Sequence, residues 1–269
     1  MDDPALVVAL IDAVRAATVS YLEANQARLT RCARLLANFN DACSAWDKRM
    51  VRDARQITET VNELIIAKRF LQDEQCARVE YEPHLQGSSK TIDFLFHSSE
   101  GHRIFYEVKT VHPEDRDSWE RYEKAKRAGW FASGTNLTLD REWEGGSLAH
   151  QQFAVRERFL EHSLELEGKI QHVANRVDGR TYFRMVFCGD RFRWHRDQLE
   201  DFADTYFTGR SAWDHFATME AHYLKENGLT VKKTIHGFCY FERGPRVPEP
   251  TNFECDVRGP GPPSEVRRR

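Results

Sequence analysis

The stretch Thr91-Ile92-Asp93-Phe94-Leu95-Phe96, with Glu107-Val108-Lys109 further along, decides how this chain is interpreted. Both segments are rich in β-branched and aromatic residues, as strands are, and Ser98-Ser99-Glu100-Gly101 between them is typical of a turn. The pattern therefore predicts a β-hairpin that turns about Glu100. In that register, Phe94 pairs with Tyr106.

The two faces of this predicted hairpin differ in character, because side chains alternate between the faces of a strand. The apolar face is predicted to carry Ile92, Phe94, Phe96, Ile104, Tyr106 and Val108. The other face carries Lys109 and the carboxylates of Asp93 and Glu107, which lie opposite each other. Opposed residues are about 5 Å apart at Cβ, and like charges so placed are destabilising. Since hard cations such as Mg²⁺ take carboxylate oxygens, the pattern predicts a metal site.

The spacing Asp-x(13)-Glu-x-Lys resembles the signature of the PD-(D/E)XK nuclease superfamily, also called the restriction-endonuclease-like fold. The resemblance covers residues 56–190, about half of the chain. It implies an α/β fold with the core order αβββαβ, in which helices flank a central mixed sheet. The sequence fits that order with a helix at 57–71, a strand at 79–85, the hairpin, a helix at 152–177 and a strand at 181–188.

The same resemblance implies oxygen ligands for one or two Mg²⁺ or Mn²⁺ ions: Asp93, Glu107, the carbonyl of Val108, and Glu63. Glu63 stands where family members often carry a Glu on the first helix, and Glu59, one turn earlier, is the alternative. The metal would polarise a phosphate and lower the pKa of a bound water. Lys109 would orient that water or stabilise the negative charge that develops on the phosphate. The implied activity is hydrolysis of phosphodiester bonds in nucleic acid, with DNA as the expected substrate.

Basic residues outside the hairpin are candidates for nucleic-acid contact. Lys169, on the predicted long helix, is the nearest match to a family residue that faces the scissile phosphate, although the usual Gln further along falls near Arg176. Two further clusters lie at residues 124–127 and 191–196, and the second includes Phe192 and Trp194, which could stack on a base. The predicted contacts are Lys169, Arg191, Arg193, Lys124 and Lys126. A solvated charged surface is the alternative interpretation of both clusters.

Three other interpretations of the chain remain open at this point. The hairpin charges could form a solvated ion-pair cluster, which contributes little to stability. The fold could also serve as a binding module without turnover, holding nucleic acid or a protein partner. Finally, the chain could be an assembly protein in which the N-terminal helices form the interface.

The chain divides into three predicted parts. Residues 1–50 contain no Gly and form a helical extension, which either packs against the core or forms the seam of a homodimer. Residues 51–243 form the nuclease-like domain, with an insertion at about 112–150. Residues 244–269 hold six of the nine prolines and are predicted to be a disordered tail.

Composition excludes several classes of protein. Lys and Arg number 39 and Asp and Glu 42, a net charge of −3 that argues against a protein coating nucleic acid. The six cysteines show no CxxC pair and no Cys/His cluster with zinc spacing, which indicates a reduced, cytoplasmic protein. The apolar segment at residues 5–11 is predicted to be too short for a membrane helix. No glycine-rich phosphate loop or serine-nucleophile motif is visible.

Overall fold

The computed structural model describes residues 4–47, 51–85, 89–112, 116–129, 142–143, 146–171, 179–190, 194, 196–211, 214–243 and 250–255. Its helices are α1 (Pro4–Val14), α2 (Ser20–Ala24), α3 (Cys32–Ala45), α4 (Val51–Gln72), α5 (Arg116–Arg127), α6 (Leu148–Ile170), α7 (Arg196–Thr208) and α8 (Asp214–Glu226). Its strands are β1 (Leu29–Thr30), β2 (Cys76–Tyr81), β3 (Phe94–Ser98), β4 (Arg103–Thr110), β5 (Glu142–Trp143), β6 (Gly146–Ser147), β7 (Thr181–Asp190), β8 (Gly237–Arg243) and β9 (Pro250–Cys255).

Seven of these strands form one mixed sheet, in the order β1-β2-β3-β4-β7-β8-β9. The pairs β1–β2, β4–β7 and β7–β8 are parallel, and the other three neighbouring pairs are antiparallel. The remaining strands, β5 and β6, pair with each other within the predicted insertion. The α/β fold class predicted from the sequence is confirmed.

The β3–β4 hairpin has the predicted register, with Phe94 paired with Tyr106 and Leu95 with Phe105. Regular pairing starts at Phe94, so Asp93 lies just before the strand, where its carbonyl accepts a hydrogen bond from the Glu82 N–H at 2.8 Å. Because the strand pattern is interrupted there, the alternation of faces does not extend back to Ile92. The prediction that Ile92 shares a face with Phe94 is wrong, since the two belong to different core clusters.

Helices cover both faces of the sheet and enclose two apolar cores. On one face α1, α3 and α4 pack against residues that include Phe94, Tyr106 and Val108. On the other, α6 and α7 pack against residues that include Leu95 and Phe105. The strands therefore bury apolar side chains on both faces, as strands between two helical layers do. Along β4, Glu107 and Lys109 alternate with Tyr106 and Val108. Their side chains therefore belong to the opposite face of the sheet, which α6 covers.

The N-terminal segment packs into this core. Leu29 of β1 pairs with Val79 of β2, so the segment supplies an edge strand of the sheet. Leu10 and Phe39 are buried in the same apolar cluster as α4. The structure thus shows packing against the core, one of the two roles predicted for this segment. The homodimer stays a prediction.

The first helical segment is longer than its sequence pattern indicated. Helices α1 and α2 are joined by a π-helical turn at Arg15–Val19, which makes a continuous helix over Pro4–Ala24. That helix has 21 residues and a mean hydropathy of 1.7 over its most apolar window, so length and composition would allow it to cross a membrane. The prediction that this segment is too short is wrong. Val7, Leu10 and Val14 are buried against the rest of the protein, and 33% of the apolar window is buried in all.

The predicted disordered tail contains a strand, and this part of the prediction is wrong. Strand β9 pairs antiparallel with β8, with Glu254 opposite Tyr240 and Phe253 opposite Phe241. Pro250 is the first residue of this edge strand, a position where the missing N–H of proline is tolerated. The proline-rich composition on both sides obscured this short run. Residues 244–249 and 256–269 of the tail lie outside the described residues.

The remaining predicted elements differ from the structure mainly at their ends. Helix α6 begins four residues before its predicted start and ends at Ile170, and residues 172–178 of the predicted helix lie outside the described part of the chain. The predicted first strand, 79–85, is β2, which begins at Cys76 and ends at Tyr81. The chain order α4, β2, β3, β4, α6, β7 contains one helix, three strands, a helix and a strand, with α5 and the β5–β6 hairpin inserted after β4.

Candidate active site

The predicted site is centred on the Glu107 carboxylate of β4. Its Oε1 atom accepts a hydrogen bond from Lys169 Nζ of α6 at 2.5 Å and lies 3.0 Å from Lys109 Nζ. Lys169 comes from the face of the sheet on which Glu107 and Lys109 were predicted to lie. Two of the predicted residues, Lys109 and Lys169, therefore lie on one carboxylate oxygen of a third, Glu107.

Glu107 is buried, while the two lysines reach solvent. The Glu107 side chain is 1% exposed, whereas the side chains of Lys109 and Lys169 are 27% and 28% exposed. An anion that approached from solvent would therefore meet the two ammonium groups before the carboxylate. The second oxygen, Oε2, is buried and has no hydrogen-bond partner among the residues that the structure describes. A buried carboxylate oxygen without a donor is costly, and a cation is one way to satisfy it.

Asp93 lies beside this group, at the entry to β3. Its Oδ2 atom accepts a hydrogen bond from the backbone N–H of Val108 at 2.7 Å. Burial, and next the Glu107 carboxylate, raise the pKa of Asp93 to about 7, against the opposing effects of Lys109, the Val108 N–H and Lys169. Val108, which was predicted to offer its carbonyl, thus contributes its N–H to the site by orienting Asp93.

Lys109 is stabilised in its charged form by these acids. Burial lowers the pKa of Lys109, but the carboxylates of Glu107 and Asp93 outweigh that effect and raise it above its ordinary value. The ammonium group is therefore charged at neutral pH. It can donate hydrogen bonds and stabilise an oxyanion.

Glu63 lies on α4, and its carboxyl is near enough to Asp93 for the two charges to interact. Its Oε2 atom accepts a hydrogen bond from the hydroxyl of Tyr81 at 2.9 Å. Burial and the neighbouring Asp93 carboxylate raise the pKa of Glu63 to about 8. Glu59, the alternative, is about half exposed, and its Oε1 lies 3.3 Å from His112 Nε2. Glu63 is therefore the better candidate.

The cluster fits a metal ion by the chemistry of its donors, although its side chains do not form a preformed cage. Carboxylate oxygens suit Mg²⁺ and Mn²⁺, and the open Oε2 of Glu107 supplies one such atom. Within the described part of the chain, no group of three or more His, Cys, Asp or Glu side chains is arranged to hold a metal. Instead, Lys109 and Lys169 neutralise Glu107. A metal would bind there only if these side chains rearranged.

Two of the other predicted nucleic-acid contacts, Lys124 and Lys126, have partners away from this cluster. Lys124 of α5 is exposed, and its Nζ lies 3.3 Å from Glu226 Oε2 of α8. Lys126 lies over the ring of Tyr122, with its Nζ 5.8 Å from the ring centroid. Arg191 and Arg193 lie outside the described residues. Of the three predicted contacts that the structure describes, Lys169 is the one that lies on Glu107.

The structure adds a pair of residues on α6 that the sequence analysis missed. His162 Nδ1 lies 3.2 Å from Glu165 Oε2. The hydrogen bond with His162, and then the charges of His162, Lys109 and Lys169, hold the pKa of Glu165 below its ordinary value. Since residues three and four apart share a helix face, the positions 162, 165 and 169 could have indicated this group once Lys169 was assigned.

No family model matches this chain, and no match was found among curated proteins or among solved structures. The fold defines a mixed α/β protein whose seven-stranded sheet has helices on both faces. The chemistry of the site is therefore argued from its own residues.

Proposed function

We propose that this protein is a metal-dependent nuclease with a restriction-endonuclease-like core, and that it hydrolyses phosphodiester bonds in DNA. One observation carries the proposal. The Asp, Glu and Lys of the predicted motif lie in one cluster, where Glu107 is buried at 1% exposure and two lysines lie on its Oε1 atom. The chain order of one helix, three strands, a helix and a strand in α4, β2–β4, α6 and β7 supports the same assignment.

The proposed reaction assigns a different role to each group. When bound, Mg²⁺ or Mn²⁺ supplies Lewis-acid polarisation of the phosphate and a water of lowered pKa. Asp93, Glu107 and Glu63 would supply oxygens for the ion once Lys109 and Lys169 have moved away from Glu107. The Val108 N–H fixes one oxygen of Asp93, which limits the ways in which that carboxylate can turn.

The two lysines serve the phosphate. The side chains of Lys109 and Lys169 are 27% and 28% exposed and both reach the buried Glu107, so a phosphodiester that enters the site would meet two cations. They bind the ground-state anion and stabilise the additional negative charge that develops during attack by water. Removing one such donor from a preorganised site typically lowers kcat by about 10²- to 10³-fold.

The test is incubation of the purified full chain with plasmid, linear duplex and single-stranded DNA, in Mg²⁺, Mn²⁺ or chelator. We expect metal-dependent cleavage of at least one substrate. Asp93→Asn and Glu107→Gln should each reduce the rate by about 10²-fold or more, because each removes a charged ligand.

The matched control is Glu200→Gln, which removes a carboxylate from the surface pair with Arg196 on α7. Circular dichroism and thermal melting check that each variant folds. If the wild type cleaves none of the substrates in either metal, or if Asp93→Asn and Glu107→Gln cleave like the control, the proposed activity is wrong.

A second candidate function is a module with the same fold that binds nucleic acid without cleaving it. The observation that favours it is the neutralisation of Glu107 by Lys109 and Lys169, with no group of three such donors in the described residues arranged for a metal. A ligand that binds only the folded state raises its stability. The enzyme should therefore gain melting temperature with increasing Mn²⁺, whereas the module should bind labelled DNA in chelator and melt at the same temperature with or without Mn²⁺.

A further inference from the structure

Two hydrogen bonds connect the N-terminal helix α3 to the candidate active site. Asn38 Nδ2 of α3 donates to the hydroxyl oxygen of Tyr81 at 3.0 Å. The Tyr81 hydroxyl donates in turn to Glu63 Oε2 at 2.9 Å. Asn38 belongs to the segment predicted as a helical extension, and Glu63 is a predicted metal ligand.

The direction of these hydrogen bonds follows from the chemistry of the groups. A phenol has one proton to donate, and an amide nitrogen can only donate. Because Asn38 supplies the hydrogen that the Tyr81 oxygen accepts, the Tyr81 proton is left for the Glu63 carboxylate. Tyr81 therefore acts on Glu63 as a donor in a fixed direction.

The surroundings hold Tyr81 and Asn38 in place. Tyr81 is 3% exposed, and its ring packs against Phe94 with centroids 5.4 Å apart. On α3, Leu35 and Phe39, which flank Asn38, are each 1% exposed in the first core cluster. The segment before α3 is also attached to the sheet, because Arg28 Nη2 donates to the Cys76 carbonyl at 2.5 Å. Groups supported in this way hold a ligand more accurately than a free side chain does.

We propose that Tyr81 and Asn38 are positioning residues that hold the Glu63 carboxylate beside Asp93, so that the N-terminal helical segment is a working part of the site. This inference rests on the proposed metal-dependent function. Outer-shell hydrogen bonds to metal ligands typically change metal affinity by about 10- to 100-fold when they are removed. Glu63 has flexible side-chain torsions, and the Tyr81 hydroxyl restricts them.

The experiment is calorimetric titration of Mn²⁺ into the full chain and into four single variants. Tyr81→Phe keeps the ring and removes the donor, so Mn²⁺ affinity should fall by about 10-fold or more. Asn38→Ala should have a smaller effect, because Tyr81 can still donate to Glu63. The matched control is Tyr182→Phe, which removes a hydroxyl that donates to the Gly179 carbonyl near the start of β7. The control should bind Mn²⁺ like the wild type.

The decisive variant is Asn38→Asp, which has nearly the same shape as the wild-type residue. Its carboxylate would accept the Tyr81 proton and draw the hydroxyl away from Glu63. A negative charge added near a cation site would by itself strengthen Mn²⁺ binding. Weaker binding in Asn38→Asp than in Asn38→Ala would therefore report the loss of positioning. If Tyr81→Phe melts far below the wild type, this pair of α3 variants still tests the inference.

The outcomes separate this inference from the function on which it rests. If the wild type binds Mn²⁺ and Tyr81→Phe binds it equally well while folded, the positioning role is refuted and the nuclease proposal stands. Stronger binding in Asn38→Asp than in Asn38→Ala would also refute the positioning role. If the wild type binds no Mn²⁺, both proposals are refuted together.

Discussion

Replacing Lys169 with Met removes the ammonium that lies 2.5 Å from Glu107 Oε1 and keeps an unbranched side chain of similar length. Glu107 is 1% exposed, so its charge depends on partners within the protein. Removing one partner of a fully buried ion pair typically costs about 3–5 kcal/mol. Two features of this site reduce that value.

The first is exposure of Lys169, whose side chain is 28% exposed, so that water screens part of the interaction. The second is Lys109, whose Nζ remains 3.0 Å from the same Glu107 oxygen. Glu107 would therefore keep one cation. We expect Lys169→Met to lower the free energy of unfolding by about 2 kcal/mol, below the range for a pair that loses its only partner.

The assay is urea unfolding in chelator at neutral pH, for the wild type, Lys169→Met, Glu107→Gln and the double variant. With an m-value of roughly 3 kcal/mol/M, a change of about 2 kcal/mol moves the midpoint by roughly 0.7 M. In the Glu107→Gln background Lys169 has lost its hydrogen-bonded carboxylate and keeps only the charges of Asp93 and Glu165 nearby, so Lys169→Met should cost little. The coupling energy from this cycle should be about 2 kcal/mol. A value below about 0.3 kcal/mol would show that the Lys169–Glu107 pair does not exist in solution.

Two further predictions concern pH and a second buried charge. In the folded state the pKa of Asp93 is raised to about 7 and that of Glu63 to about 8. Their protonated forms therefore stabilise the folded state fully below the ordinary pKa near 4, and this stabilisation is lost as the pH rises through about 7 and 8. Melting temperatures measured in chelator should fall over this range, and they should fall less in Asp93→Asn; an equal fall in both would contradict the assigned shift. Arg156 is buried with its Nη1 2.8 Å from Asp201 Oδ2, so Arg156→Met should cost about 3–5 kcal/mol in urea unfolding. The surface variant Arg196→Met should change stability by less than about 1 kcal/mol, and equal effects of the two variants would refute the argument.

The register of the β3–β4 hairpin could be predicted from the sequence because it depends on local geometry. Alternation has a period of two residues, and the turn at Ser98–Gly101 connects neighbouring strands, so the pairing of Phe94 with Tyr106 follows from a short segment. The prediction failed at Ile92, one residue before Asp93, where regular pairing has not yet begun. Local rules hold only as far as the strand continues.

The length of the N-terminal helix and the presence of β9 were not predictable in the same way. The helix over Pro4–Ala24 continues through a π-helical turn, which a short apolar window does not reveal. Strand β9 depends on β8 as a partner, and its flanking prolines are typical of disorder. In each case the structure depends on contacts with residues that are distant in the chain.

The sequence by itself determined the register of the β3–β4 hairpin and the common face of Glu107 and Lys109, because alternation along a strand depends on backbone geometry alone. Only the tertiary structure decided that Lys169, 62 positions after Glu107, donates to its carboxylate, and that Asn38 donates to Tyr81, 43 positions away, which donates in turn to Glu63. Such contacts depend on where whole helices pack against the sheet, which is set by the burial of many apolar side chains together. No short segment of sequence contains that information.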